Sequence, residues 1–93
     1  FEQSANNGNS YGQHGLGFCY RYGIGIPSKL LHTNLKAEAV YLFTLSADRN
    51  NSYGQNSLGE CYREGVCGNN LKYEQRLTEA FRLFQLSAAQ DNK

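Results

Sequence analysis

The sequence predicts an all-α fold, an α-α superhelix in which antiparallel helix pairs stack as a solenoid. The first observation is an internal repeat, because residues 1–25 align with residues 43–67 at a shift of 42 and 14 of the 25 pairs are identical. A period of this length is typical of helical-hairpin solenoid units. The second observation is that the repeated apolar and small residues recur at i, i+4, i+7, i+8 and i+11, which places them on one helix face.

The first helix of each pair, helix A, is predicted over residues 9–22 and 51–64. Its repeated stripe consists of Gly12, Leu16, Cys19, Tyr20 and Gly23 in the first copy and Gly54, Leu58, Cys61, Tyr62 and Gly65 in the second. Asn-rich segments at 7–9 and 50–52 suit a helix stop followed by an N-cap. A glycine inside a helix costs about 1 kcal/mol relative to alanine. Its repetition at equivalent sites therefore indicates close packing against another helix.

The second helix, helix B, is predicted over residues 35–48 and 75–90. Its stripe consists of Ala39, Leu42, Phe43, Ser46 and Ala47, repeated at a shift of 41 as Ala80, Leu83, Phe84, Ser87 and Ala88. We expect the small residues Ala39, Ser46 and Ala47 to face the helix A glycines. The shift changes from 42 to 41 in the connection between helices A and B, which indicates a loop there.

Both copies carry a motif beyond simple periodicity. The first copy reads Ser4-Ala5, Gly8-Asn9, Gly12-Gln13, Leu16-Gly17, Tyr20, Gly23 and Gly25-Ile26, and the second reads Ser46-Ala47, Asn51, Gly54-Gln55, Leu58-Gly59, Tyr62 and Gly65-Val66. These residues resemble the Sel-one-like repeat, a relative of the tetratricopeptide repeat, over essentially the whole chain. Cys67 departs from the pattern, since it replaces a loop glycine. The resemblance implies a right-handed superhelix whose concave groove is lined by helix A, and an adaptor role.

The repeat boundaries predict one array rather than separate domains. We interpret residues 9–50 as repeat one, 51–93 as repeat two and 1–8 as the end of a preceding helix B. Two repeats and a half are close to the lower limit for a stable stack. We therefore expect the array to be a fragment of a longer one, with neighbouring repeats of the parent chain as its natural contacts.

Composition excludes several function classes. The net charge of +1 provides no general attraction for nucleic acid, and no apolar run approaches the roughly 20 residues of a membrane-spanning helix. The two histidines, His14 and His32, and the three cysteines lack zinc-ligand spacing. No nucleophile and base share a helix face, so we expect neither enzymatic activity nor a cofactor. The odd cysteine number favours a reducing compartment, such as the cytoplasm.

The groove-facing side of helix A provides the candidate site. Its residues in copy one are Tyr11, His14, Phe18, Arg21 and Tyr22, and in copy two Tyr53, Asn56, Glu60, Arg63 and Glu64. Aromatic residues and arginine dominate binding energies at protein interfaces. We therefore predict that a peptide or protein partner binds here and that one of its acidic side chains bridges Arg21 and Arg63. The array would then be a protein-interaction scaffold.

Several alternatives remain open at this stage. Arg63 pairs with Glu60 along the helix in one of them, while Tyr11 and Tyr53 pack between repeats. Cys19 and Cys61 are expected to be small buried apolar residues a repeat apart, whereas Cys61 and Cys67 are near enough in sequence to approach each other across the helix end. For function, the alternatives are a luminal or secreted adaptor and a regulatory or spacer segment of a larger multidomain enzyme, such as a kinase.

Overall fold

The computed structural model describes residues 10–26 and 34–91, and this part of the chain forms four α-helices. The helices are α1 (Ser10–Tyr22), α2 (Leu35–Asp48), α3 (Ser52–Glu64) and α4 (Tyr73–Asp91). Helices α1 and α3 correspond to the predicted copies of helix A, and α2 and α4 to those of helix B. The predicted all-α fold is therefore confirmed. The helix end predicted at residues 1–8 lies outside the described residues.

The boundary between the repeats has the stop and start that its asparagines predict. Asn50 adopts the left-handed conformation with φ 63°, which ends α2. Asn51 is the N-cap of α3, and its side-chain oxygen accepts a hydrogen bond from the backbone N–H of Gly54 at 3.1 Å. Helix α3 then ends at Gly65, whose φ of 79° is a left-handed cap that favours glycine. Local sequence thus sets both ends of the helix.

Within each repeat the two helices pack through a glycine that receives a phenylalanine ring. A Cβ atom on Gly59 would lie 2.9 Å from the Phe84 ring, and one on Gly17 would lie 2.9 Å from the Phe43 ring. The α3–α4 pair is antiparallel, because the start of α3 lies beside the end of α4. There the Ser87 hydroxyl donates a hydrogen bond to the carbonyl oxygen of Ser52 at 2.9 Å.

Between the repeats, α2 packs on α3 through small residues. A Cβ atom on Gly54 would lie 2.6 Å from the Cβ of Ser46 and 2.8 Å from the backbone nitrogen of Ala47. The expected facing set of small residues is thus correct for Gly54. It is wrong for Gly17 and Gly59, because these two glycines make room for aromatic rings of their own repeat.

The core runs through three of the helices. Its buried members are Ala39, Phe43, Leu58, Cys61 and Leu83. Cys61 is fully buried as expected, whereas Cys19 is only half-buried, because α1 is covered on fewer sides than α3. All three cysteines are free, so the approach of Cys61 and Cys67 does not form a disulfide.

Candidate protein-binding groove

A cavity of about 230 Å³ lies where the two copies of helix A approach each other. Its lining residues are His14, Phe18, Arg21, Tyr22, Phe43, Tyr53, Asn56, Ser57 and Glu60. Seven of these nine belong to the ten residues proposed from the sequence. Three of the ten candidates do not line it. Arg63 and Glu64 adjoin the cavity through ion pairs, and the side chain of Tyr11 lies outside the described part of the structure. We call this surface the groove face.

One wall of the cavity is a ladder of rings along α1. His14, Phe18 and Tyr22 follow one another at four-residue spacing, so they occupy successive turns of one helix side. The ring centroids of Phe18 and Tyr22 are 4.7 Å apart, and those of His14 and Phe18 are 6.5 Å apart. Phe18 and Tyr22 remain exposed despite their size. The ladder therefore presents an apolar surface to any molecule that enters the cavity.

His14 connects the two repeats. Its Nε2 atom is 2.9 Å from the Ser57 hydroxyl oxygen on α3, and its ring centroid is 5.7 Å from that of Tyr53 on the same helix. Burial lowers the pKa of His14, an effect that the negative charge of Glu60 partly opposes. The imidazole is therefore neutral at neutral pH, and it contributes a hydrogen bond and a ring face rather than a charge.

A serine beside a histidine also raises the question of nucleophilic catalysis. Activation of a serine requires a third group that orients the histidine, usually a carboxylate hydrogen-bonded to its other nitrogen. Across residues 10–26 and 34–91 no carboxylate makes such a bond to His14. We therefore interpret the pair of His14 and Ser57 as a contact that holds α1 against α3.

Side chains of α1 and α3 form a charged network beside the cavity. The Arg21 side chain is only 11% exposed, and it forms an ion pair with Glu64 and donates a hydrogen bond to the Cys61 sulfur at 3.3 Å. The Arg63 Nη2 atom lies 3.4 Å from the second carboxylate oxygen of Glu64. Glu64 therefore bridges the two arginines. The acid that we expected from a partner is thus supplied by the chain itself, because Glu64 occupies the position equivalent to Tyr22.

Glu60 is the carboxylate of the network that lines the cavity. Its carboxylate is 3.8 Å from Arg63 Nη2, which shows that the alternative of pairing along the helix is also realised. The Asn56 side-chain amide donates to it at 3.5 Å. Both contacts are long compared with the roughly 2.7–2.9 Å of a charge-assisted hydrogen bond. Glu60 therefore retains capacity to bind a further donor.

Cys61 and Cys67 are held in an unreactive state. Burial raises the pKa of Cys61, and it raises the pKa of Cys67 to about 11. Both thiols are consequently protonated at neutral pH, which is the unreactive state of a cysteine. Among the described residues, no three side chains of histidine, cysteine, aspartate or glutamate come together as a metal site. The helices found there also include none with the length and apolar character needed to cross a bilayer.

The geometry agrees with the comparison with known families. The family model described as Sel1 repeat matches residues 10–51 and 52–92. This chain belongs to the Sel1 repeat family. Sel1 repeats are all-α repeats of the tetratricopeptide type that generally mediate protein–protein interactions and are typically non-catalytic. No curated protein and no solved structure matches the chain.

Two cavity residues of these Sel1 repeats were not among the candidates from sequence. Phe43 was assigned to the core stripe of helix B, and it is indeed fully buried, but its ring also forms the floor of the cavity. The available signal was Gly17, whose missing side chain leaves space for that ring. Ser57 had no signal of its own, because its role depends on the position of His14 in the other Sel1 repeat.

Proposed function

We propose that these two Sel1 repeats form a protein-interaction scaffold that binds a segment of a partner protein on the groove face. The observation that carries this proposal is the concentration of exposed rings around one cavity to which both repeats contribute. Phe18 and Tyr22 come from repeat one and Tyr53 from repeat two. Exposed aromatic clusters beside a depression are a common feature of protein-binding surfaces.

The size of the cavity favours a polypeptide over a small molecule as the ligand. Small-molecule sites generally enclose about 300–1,000 Å³. The cavity here has about 230 Å³, and three of its lining rings, those of Phe18, Tyr22 and Tyr53, also remain exposed to solvent. One side chain of a partner segment would fill the cavity, and the neighbouring residues of that segment would cover Phe18 and Tyr22.

The proposal is tested by removing the exposed rings without disturbing the packing. We would compare partner capture from source-cell extract by the wild-type chain and by the double variant F18S/Y22S. The matched control is Y41S/F81S. It removes two rings that are 60% and 62% exposed, against 44% and 54% for Phe18 and Tyr22, and that do not line the cavity. Arg21 is left unchanged, because its burial makes it part of the fold.

We expect F18S/Y22S to lose at least one partner that Y41S/F81S retains, with the helical circular dichroism of both variants unchanged. Hot-spot residues typically contribute about 2 kcal/mol or more each, so the loss of capture should be nearly complete. Equal capture by all three proteins would reject the groove face. The partner would then bind elsewhere on the chain. Capture of no partner by the wild type would instead favour a spacer or regulatory segment of a larger protein.

A further inference from the structure

The charged side chains around the cavity differ in how closely they are paired with opposite charges. Arg21 is almost buried and has its counter-ion in Glu64, which also contacts Arg63. His14 is kept neutral by its burial. Glu60, in contrast, makes only the two long contacts to Arg63 and Asn56 among the residues that the structure describes. A ligand that enters the cavity therefore meets one carboxylate with remaining capacity and no cation that lacks a partner among the lining residues.

An acidic ligand would fit this arrangement poorly. Its carboxylate would have to displace Glu64 from two arginines, and it would lie near the negative charge of Glu60. The exchange would replace one carboxylate by another at Arg21, so it would gain no ion pair, and it would leave Glu64 without its closest charge partner. The network thus selects against acidic side chains.

A cationic ligand would find two complementary features. The rings of Phe18 and Tyr22 are partly exposed, and their apolar surface can cover the aliphatic stem of a lysine or arginine side chain. The Arg21 Cζ atom lies 5.2 Å from the centroid of the Tyr22 ring, so a ligand side chain would contact the part of this ring that Arg21 leaves exposed. The carboxylate of Glu60 supplies a charge partner on the opposite helix.

We propose that the cavity receives a lysine or arginine side chain of the partner segment. Glu60 pairs with the cationic head, and the rings of Phe18 and Tyr22 cover the aliphatic stem. This inference rests on the proposed function of the groove face and adds the chemistry of the partner to it. The cavity volume of about 230 Å³ suits one long side chain.

The test is selection of a random peptide display library on the immobilised 93-residue chain. It uses the wild type, E60Q, the ring variant F18S/Y22S and the control E79Q. Glu79 is a matched control, because it also pairs with an arginine three residues later and its side chain is 31% exposed, against 34% for Glu60. It lies on α4 and does not line the cavity.

We expect lysine and arginine to be enriched about two- to fivefold at one position of the selected peptides, the gain that a surface ion pair with Glu60 provides. E60Q should abolish the enrichment and E79Q should keep it. Two results would overturn the cationic ligand but not the groove face as the binding site. One is that peptides depend on Phe18 and Tyr22 without basic enrichment, and the other is that E60Q selects the same basic enrichment as the wild type. Peptides that bind F18S/Y22S as well as the wild type, or no selected peptides, would overturn the groove face and the inference with it.

Discussion

The two copies of helix A are nearly the same helix with different groove faces. Nine of the 13 positions of α1 and α3 carry identical residues. The four positions that differ pair His14 with Asn56, Gly15 with Ser57, Phe18 with Glu60 and Tyr22 with Glu64. Six of these eight residues line the cavity. Repeat one therefore contributes rings and repeat two contributes polar and charged groups.

This difference separates the residues that build the stack from those that, in the proposed function, contact the partner. The repeated glycines and the phenylalanines they accommodate give both repeats the same internal packing. The positions that differ face the space between repeats, where nothing in the packing requires the same residue twice. Arg21 and Tyr53 are exceptions, because they line the cavity and yet the other repeat has the same residue type at the equivalent position. These equivalents are Arg63 and Tyr11.

The largest expected difference between the repeats concerns the two equivalent phenylalanines. Phe43 is fully buried between helices of both repeats, whereas Phe84 lies on the last helix and is only partly buried. Replacing a buried phenylalanine by alanine costs about 3–5 kcal/mol, so F43A should lose that much of the free energy of unfolding and F84A clearly less. Urea denaturation followed by circular dichroism measures both values.

The milder pair F43L and F84L provides a second measurement in case F43A does not fold, and it should preserve the order. Equal losses in the two variants would show that the outer repeat is covered as well as the inner one. The difference in burial between Phe43 and Phe84 would then have no effect on stability.

A smaller difference is expected for the two equivalent arginines. The Arg21 side chain is 11% exposed and contacts Glu64 and Cys61, while that of Arg63 is 52% exposed. R21A should destabilise the fold by about 1–2 kcal/mol, reduced from the full value of a charged hydrogen bond because Glu64 is partly in solvent. R63A should stay within about 0.5 kcal/mol of the wild type. A larger effect of R63A than of R21A in the same denaturation assay would contradict this assignment.

Much of the fold could be predicted from the sequence, because the repeat provides two copies of the sequence pattern of each helix. Asn51 and Gly65 marked the ends of α3, and the helix A stripe marked its packed face. The partners of the glycines could not be derived in the same way. Whether Gly17 faces a small residue or the ring of Phe43 depends on the axial offset between two helices, and the spacing within each helix does not contain that offset.

The candidate site was predictable as a face but not as a network. Helical spacing placed His14, Phe18 and Tyr22 on one side of α1. It carried no information on which groups of α3 lie opposite, so the bridge from Glu64 to Arg21 appears only once the repeats are stacked. Glu64 and Glu60 look alike in sequence. The structure distinguishes them, because Glu64 forms ion pairs with two arginines whereas Glu60 lines the cavity.

The smallest expected effect tests the contact between the repeats through its pH dependence. Burial lowers the pKa of His14 below its ordinary value, so the folded state prefers the neutral imidazole. In the unfolded chain the same group takes up a proton as the pH falls through about 6.5. The unfolded state then binds more protons than the folded state, and the free energy of unfolding falls as the pH is lowered through that range. H14N removes the titrating group and makes this position identical to Asn56.

We therefore expect the wild type to lose more stability than H14N between pH 7.5 and pH 5.5, measured as the shift of the urea midpoint. The other histidine, His32, is present in both proteins, so its contribution cancels in the difference. Parallel losses in the two proteins would mean that His14 is solvated in the folded state. The hydrogen bond to Ser57 would then not hold α1 against α3, and the rings and the carboxylate would not be fixed across a common cavity.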